Sequence, residues 1–136
     1  MKTHTIPEAC LKQPQEELDA LRHMGFEDVI VHEDSSVSVT LQTGAYHMNN
    51  HGSILGSVEF MVCDAAIGAY LLNHDCPGVG TEASIHFYRA AREGDVLTAT
   101  VFERKRGRTL GTFLIELKNQ DDVHIADVCY SIMFNL

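Results

Sequence analysis

The chain has 136 residues, 45% of them hydrophobic, with 19 acidic against 10 basic side chains and a formal charge of -9. That length suits one domain with a sizeable core, and the hydrophobic content is that of a globular chain rather than a disordered one. The acidic balance argues against a broad basic surface for nucleic acid or anionic membrane. It leaves room for a small basic pocket holding an anionic ligand.

Residues 1–13 read as a loose lead-in. His4, Pro7 and Glu8 interrupt any apolar stretch there, so no secretory signal is expected. Cys10, Cys63, Cys76 and Cys129 form no C-x-x-C pair, and Cys63 and Cys129, in apolar runs, read as buried reduced thiols. These features predict a cytoplasmic protein.

Pro14 is placed to open a helix, and Leu18, Leu21 and Met24 keep helical spacing until Gly25. From Phe26 the period changes. Val29 and Val31, then Val37, Val39 and Leu41, alternate around a turn-prone 32–36 stretch and predict a β-hairpin. Residues 43–53 read as polar loop.

Residues 54–73 are apolar on nearly every side, which predicts a helix surrounded by protein. At 1.5 Å per residue it spans about 30 Å, enough to cross a small sheet. Glu59, Asp64 and Ser57 favour a core helix over a membrane span. Cys76-Pro77-Gly78 ends it. Four antiparallel strands follow, at about 79–89, 95–106, 110–119 and 123–134, broken by turn-forming 92–95, Gly107 and Asp121-Asp122. In the last, Ala126, Val128, Tyr130, Ile132 and Phe134 alternate against Asp127, Cys129, Ser131 and Met133. The expected architecture is α+β, one antiparallel sheet wrapped around one long helix in a single domain.

Asp64 is the outstanding residue. A carboxylate in an apolar helix needs a partner or a task, because an unpaired buried charge is costly. Glu59 lies five residues earlier, about 140° round the helix, and reads first as a partly exposed helix residue, otherwise as an acid near a substrate site. His47 and His51 are four apart but precede the helix in a glycine-bearing loop, so no metal site is expected. His86 reads as a half-buried strand residue. The one basic cluster, Glu103 to Arg108, reads first as a solvated hairpin tip, and otherwise as an attractor of phosphates.

Two stretches carry a resemblance. One runs from Asn49 through the glycine-led helix start to Asp64-Ala65-Ala66; the other is Phe87-Tyr88-Arg89-Ala90-Ala91-Arg92-Glu93-Gly94-Asp95-Val96-Leu97. In order and separation they resemble the hotdog-fold thioesterases, specifically the PaaI-like acyl-CoA thioesterases, over residues 26–136. The resemblance implies a hotdog fold, an acyl-CoA substrate whose coenzyme A is no separate cofactor, and a homodimer or dimer of dimers with the site between subunits. It implies Asp64 as general base or nucleophile, facing on the neighbouring subunit the Gly56 amide that polarises the thioester carbonyl and Asn49 that positions water; by its residue type alone Asn49 reads equally as a turn former. Leu55, Ser57 and His51 at the helix start, Thr81 on the next strand, and Arg89, Arg92, Arg106 and Arg108 complete the predicted substrate side. One departure stands out: the family's histidine, nine residues before the acid, is Leu55 here. That leaves open a non-catalytic acyl-CoA binder and, less readily, a hotdog dehydratase or hydratase relying on His51.

Overall fold

The structure, a computed structural model, describes residues 3–5 and 15–135. Its elements are β1 (Thr3–Thr5), α1 (Gln15–His23), β2 (Phe26–His32), β3 (Val37–Gln42), a 3-10 turn (Ala45–His47), α2 (Gly56–Asn73), β4 (Gly78–Phe87), β5 (Val96–Arg106), β6 (Leu110–Lys118) and β7 (His124–Phe134). Pro14 and Cys10 fall outside the described residues. Gly25, at φ +98°, ends the α1 segment in a conformation that favours glycine.

The seven strands form one antiparallel sheet in the order β1-β2-β3-β5-β6-β7-β4. α2 packs on it, touching β3, β5, β6, β4 and β7. Strand alternation builds the core: Val39, Leu97, Ala99, Phe113, Ile115 and Val128 face α2 and are buried. On the helix, Val62, Cys63 and Ala66 meet them at zero exposure. The opposite sheet face is hydroxyl-rich, with Ser38 Oγ 2.7 Å from Thr100 Oγ1 and Thr40 Oγ1 3.3 Å from Thr98 Oγ1.

Four features depart from the sequence reading. The lead-in contains β1, whose backbone pairs Thr3 with His32, a ladder that needs no apolar pattern. β4 does not lie beside β5. Residues 88–95 carry the chain past the start of α2, where Ile54 N–H donates to Ala91 O at 2.9 Å, and β5 then pairs with β3. β4 is left at the far edge, bonded to β7 alone. Within this chain α2 is covered on one side only; Ser57 and Asp64 are exposed, and Met61, Ala65, Gly68 and Leu72 are half-buried. Finally, Cys63 is buried, its thiol pushed up to about 12 chiefly by burial, but Cys129 points to the outer sheet face and is exposed. No helix among the described residues is long and apolar enough to cross a membrane.

Candidate active site

The loop before α2 is held by Asn49. Its Oδ1 accepts the N–H groups of His51 (2.8 Å) and Ser53 (3.1 Å), and its Nδ2 donates to Ser53 Oγ at 2.9 Å. Arg92 Nη1 donates to Gly52 O at 3.3 Å, and Leu55 N–H to His47 O at 2.9 Å. The start of α2 is therefore fixed from both sides. Asn49 works here as a turn former, with its carboxamide oxygen spent inside the loop.

Leu55 occupies the N-cap position and contributes no side-chain acceptor. Leu55 O takes the N–H groups of Val58 (3.0 Å) and Glu59 (3.2 Å). The N–H groups of Gly56 and Ser57 precede the first intrahelical bond and meet no acceptor among the described residues. An uncapped helix start of this kind favours negative charge.

In front of it lies a cleft of about 360 Å³, lined by Gly56, Glu59, Phe87, Tyr88, Arg89 and neighbouring backbone. A Cβ on Gly56 would come within 3.1 Å of Phe87 Cζ, so the bare glycine lets that ring lie against the helix start. Tyr88 Oη donates to Asp127 Oδ2 at 3.1 Å, and Asp127 Oδ1 pairs with His124 Nε2. These contacts fix one wall.

Glu59 departs from its first reading as a partly exposed residue and lies instead against the cleft. It is 3% exposed and sits at the cleft floor, because its bearing on α2 points at the sheet. Burial raises its carboxyl to about 7, against a lowering hydrogen bond from the Ala91 backbone. A buried acid without a cation partner behaves this way.

Asp64 is exposed in the single chain, not buried as the apolar segment suggested. Its Oδ1 accepts a hydrogen bond from Tyr130 Oη; Oδ2 has no partner among the described residues. Nothing in the sequence paired Tyr130 with Asp64: 66 residues separate them, and strand alternation alone pointed Tyr130 inward.

The remaining predicted residues divide. Arg89 lines the cleft, while His51 is exposed on the loop and lies outside its lining. His47 is buried, its Nδ1 accepting Gly44 N–H at 2.9 Å, and burial lowers its basicity. Thr81 sits at a bulge in β4, its hydroxyl donating to Ser131 O at 3.2 Å. Arg106 is occupied elsewhere: Nε donates to Glu103 Oε1 at 2.6 Å, Nη2 reaches Cys76 Sγ at 3.6 Å, and the guanidinium lies over Phe134. Cys76 follows the C-terminal end of α2, so Arg106, and with it exposed Arg108, stands one helix length, about 27 Å, from Gly56. One chain does not bring the basic cluster to the cleft. His86 is exposed rather than half-buried. Among the described residues no group of three His, Cys, Asp or Glu gathers as a metal site.

Residues 51–126, more than half of the chain, match the family model described as Thioesterase superfamily. The chain is similar to the Escherichia coli acyl-coenzyme A thioesterase PaaI, 30% identical over 99 residues covering 73% of this chain and 71% of that protein. It is 37% identical over 75 residues to a Deinococcus radiodurans candidate esterase, covering 55% of this chain and about half, 51%, of that relative. The solved E. coli PaaI structure superposes with a TM-score of 0.79 at 25% identity, over 87% of this chain and 85% of that one. A Streptococcus pneumoniae hypothetical thioesterase solved with coenzyme A shares the fold at a TM-score of 0.75 and 23% identity, over 82% and 89% of the two chains. With that sheet and helix, and with the acid and glycine spaced as they are, the chain belongs to the thioesterase superfamily, as a PaaI-like hotdog protein.

Proposed function

We propose that this chain hydrolyses acyl-coenzyme A thioesters in the cytoplasm as a homodimer or dimer of dimers. The carrying observation is Asp64, an exposed acid on an otherwise apolar helix face with one oxygen held and the other open. In the water-attack form, water adds to the thioester carbonyl while its proton passes to Asp64 Oδ2. The oxyanion rests on the Gly56 N–H; its collapse expels the coenzyme A thiolate, which regains the proton. The alternative uses the same carboxylate as nucleophile through an anhydride. Arg89 is the cation of this chain that lines the cleft, placed to meet a phosphate group.

One chain is incomplete for this chemistry. Gly56 and Asp64 lie eight residues apart, about 12 Å along the axis, too far to meet on one carbonyl. A second copy supplies the missing half. β4 offers ten residues of open edge, nearly all exposed, and the bare face of α2 lies next to Asp64. Light scattering is therefore expected to give a mass of at least twice the 15.1 kDa chain; a monomer at micromolar concentration would contradict the shared site.

The E. coli relative is named for acyl-coenzyme A hydrolysis, and the S. pneumoniae fold neighbour holds coenzyme A. Both support the substrate class. A second reading, an acyl-CoA binder without turnover, is favoured by one observation: Leu55 stands where the family carries histidine, and Asn49 is spent on its loop. Thiol release from a panel of aliphatic and aromatic acyl-CoAs separates the two. Turnover well above the uncatalysed rate supports the hydrolase; micromolar binding without thiol release supports the binder.

A further inference from the structure

β7 turns Tyr130 inward, where it is 9% exposed, and its phenol donates to Asp64 Oδ1. The surroundings are shaped to hold that ring. Phe60, one turn before Asp64 on the same helix face, stacks on it with centroids 6.1 Å apart and planes at 29°. On β4, Ala83 faces it across the ladder. Gly80 leaves empty the place where a Cβ would come within 2.8 Å of Tyr130 Cε1. Burial first, and the Asp64 carboxylate second, hold the phenol well above its ordinary range, so it remains a donor throughout the neutral region. No other acceptor for this hydroxyl occurs among the described residues.

Resting on the reading of Asp64 as the reacting acid, we infer that Tyr130 is a positioning residue: its phenol pins Oδ1 of Asp64 and presents Oδ2 to water or thioester. Tyr130 keeps its proton throughout. Its contribution is to fix the carboxylate rotamer, since a hydrogen bond donated to one carboxylate oxygen orients the other.

The test is Tyr130→Phe in the full chain, which retains the ring stacked on Phe60. Acyl-CoA thiol release is expected to lose about 10- to 100-fold in kcat, the worth of a hydrogen bond to a charged group, with KM within about twofold. Phe60→Leu, which loosens the packing and keeps the phenol, should show no such loss in kcat. A Tyr130→Phe protein with kcat unchanged or raised, or with the loss carried by KM instead of kcat, overturns the inference. Independently of that variant's folding, Asp64→Asn should shift the tyrosine ultraviolet band, because the phenol loses a charged acceptor; no shift also overturns it. The two claims fail separately. If Asp64→Asn leaves thiol release intact, the reading of Asp64 falls. If it abolishes release while Tyr130→Phe matches the natural chain, Tyr130 alone falls.

Discussion

Asp64→Asn is expected to lower kcat for acyl-CoA hydrolysis by about 10²–10⁴, the range for removing a general base. The substitution keeps shape and an acceptor oxygen, so Tyr130 Oη can still donate to it. Asp64 is exposed and makes no ion pair among the described residues, so the folded chain should lose less than about 1 kcal/mol. KM should move little, because the cleft residues Gly56, Phe87, Tyr88 and Arg89 are untouched. Activity and stability are thus expected to separate cleanly. The measurement pairs thiol release over a range of acyl-CoA concentrations with thermal unfolding of both proteins. A loss below tenfold, or a loss matched by unfolding, would remove Asp64 from the chemistry.

What the sequence made legible here is local. Gly56 and Asp64 lie on one helix, so their spacing alone fixes their separation and bearing, and alternation in β7 correctly divided its inner from its outer residues. What it concealed depends on contacts between distant segments. Tyr130 meets Asp64 across 66 residues. Glu59 became buried because the sheet covers one particular side of α2, and an all-round apolar helix gives no sign of which side that will be. The basic cluster lies where its first reading, a solvated hairpin tip, put it, and only the fold shows that β5 delivers Arg106 to Glu103 and Phe134 at the helix end far from Gly56. The position of β4 was equally hidden, since short turns suggest neighbouring strands whereas residues 88–95 cross to the other side of the sheet.

Glu59→Gln is expected to stabilise the protein above pH 7 and to flatten its dependence on pH. The folded carboxyl is raised from 4.5 to about 7, with burial the leading cause and the Ala91 N–H opposing it. Below about pH 4.5 both folded and unfolded chains carry the proton, and the group leaves stability unaltered. As pH rises towards 7 the unfolded chain releases its proton first while the folded chain retains it. Stability therefore falls across this window and stays lower above it, by about 3 kcal/mol from this one group. Glutamine carries no titrating proton, and its side-chain oxygen can still accept the Ala91 N–H, so this group's part of the slope should vanish and about 1–3 kcal/mol should be regained at pH 8. Urea unfolding at pH 5 and pH 8 reads this directly; equal slopes for both proteins would place Glu59 outside the buried floor. The same variant weighs what the carboxyl does there. A group that lowers stability at neutral pH, beneath the glycine proposed to receive the oxyanion, is explained by packing alone only if Glu59→Gln gains stability and hydrolyses acyl-CoA at an unchanged rate.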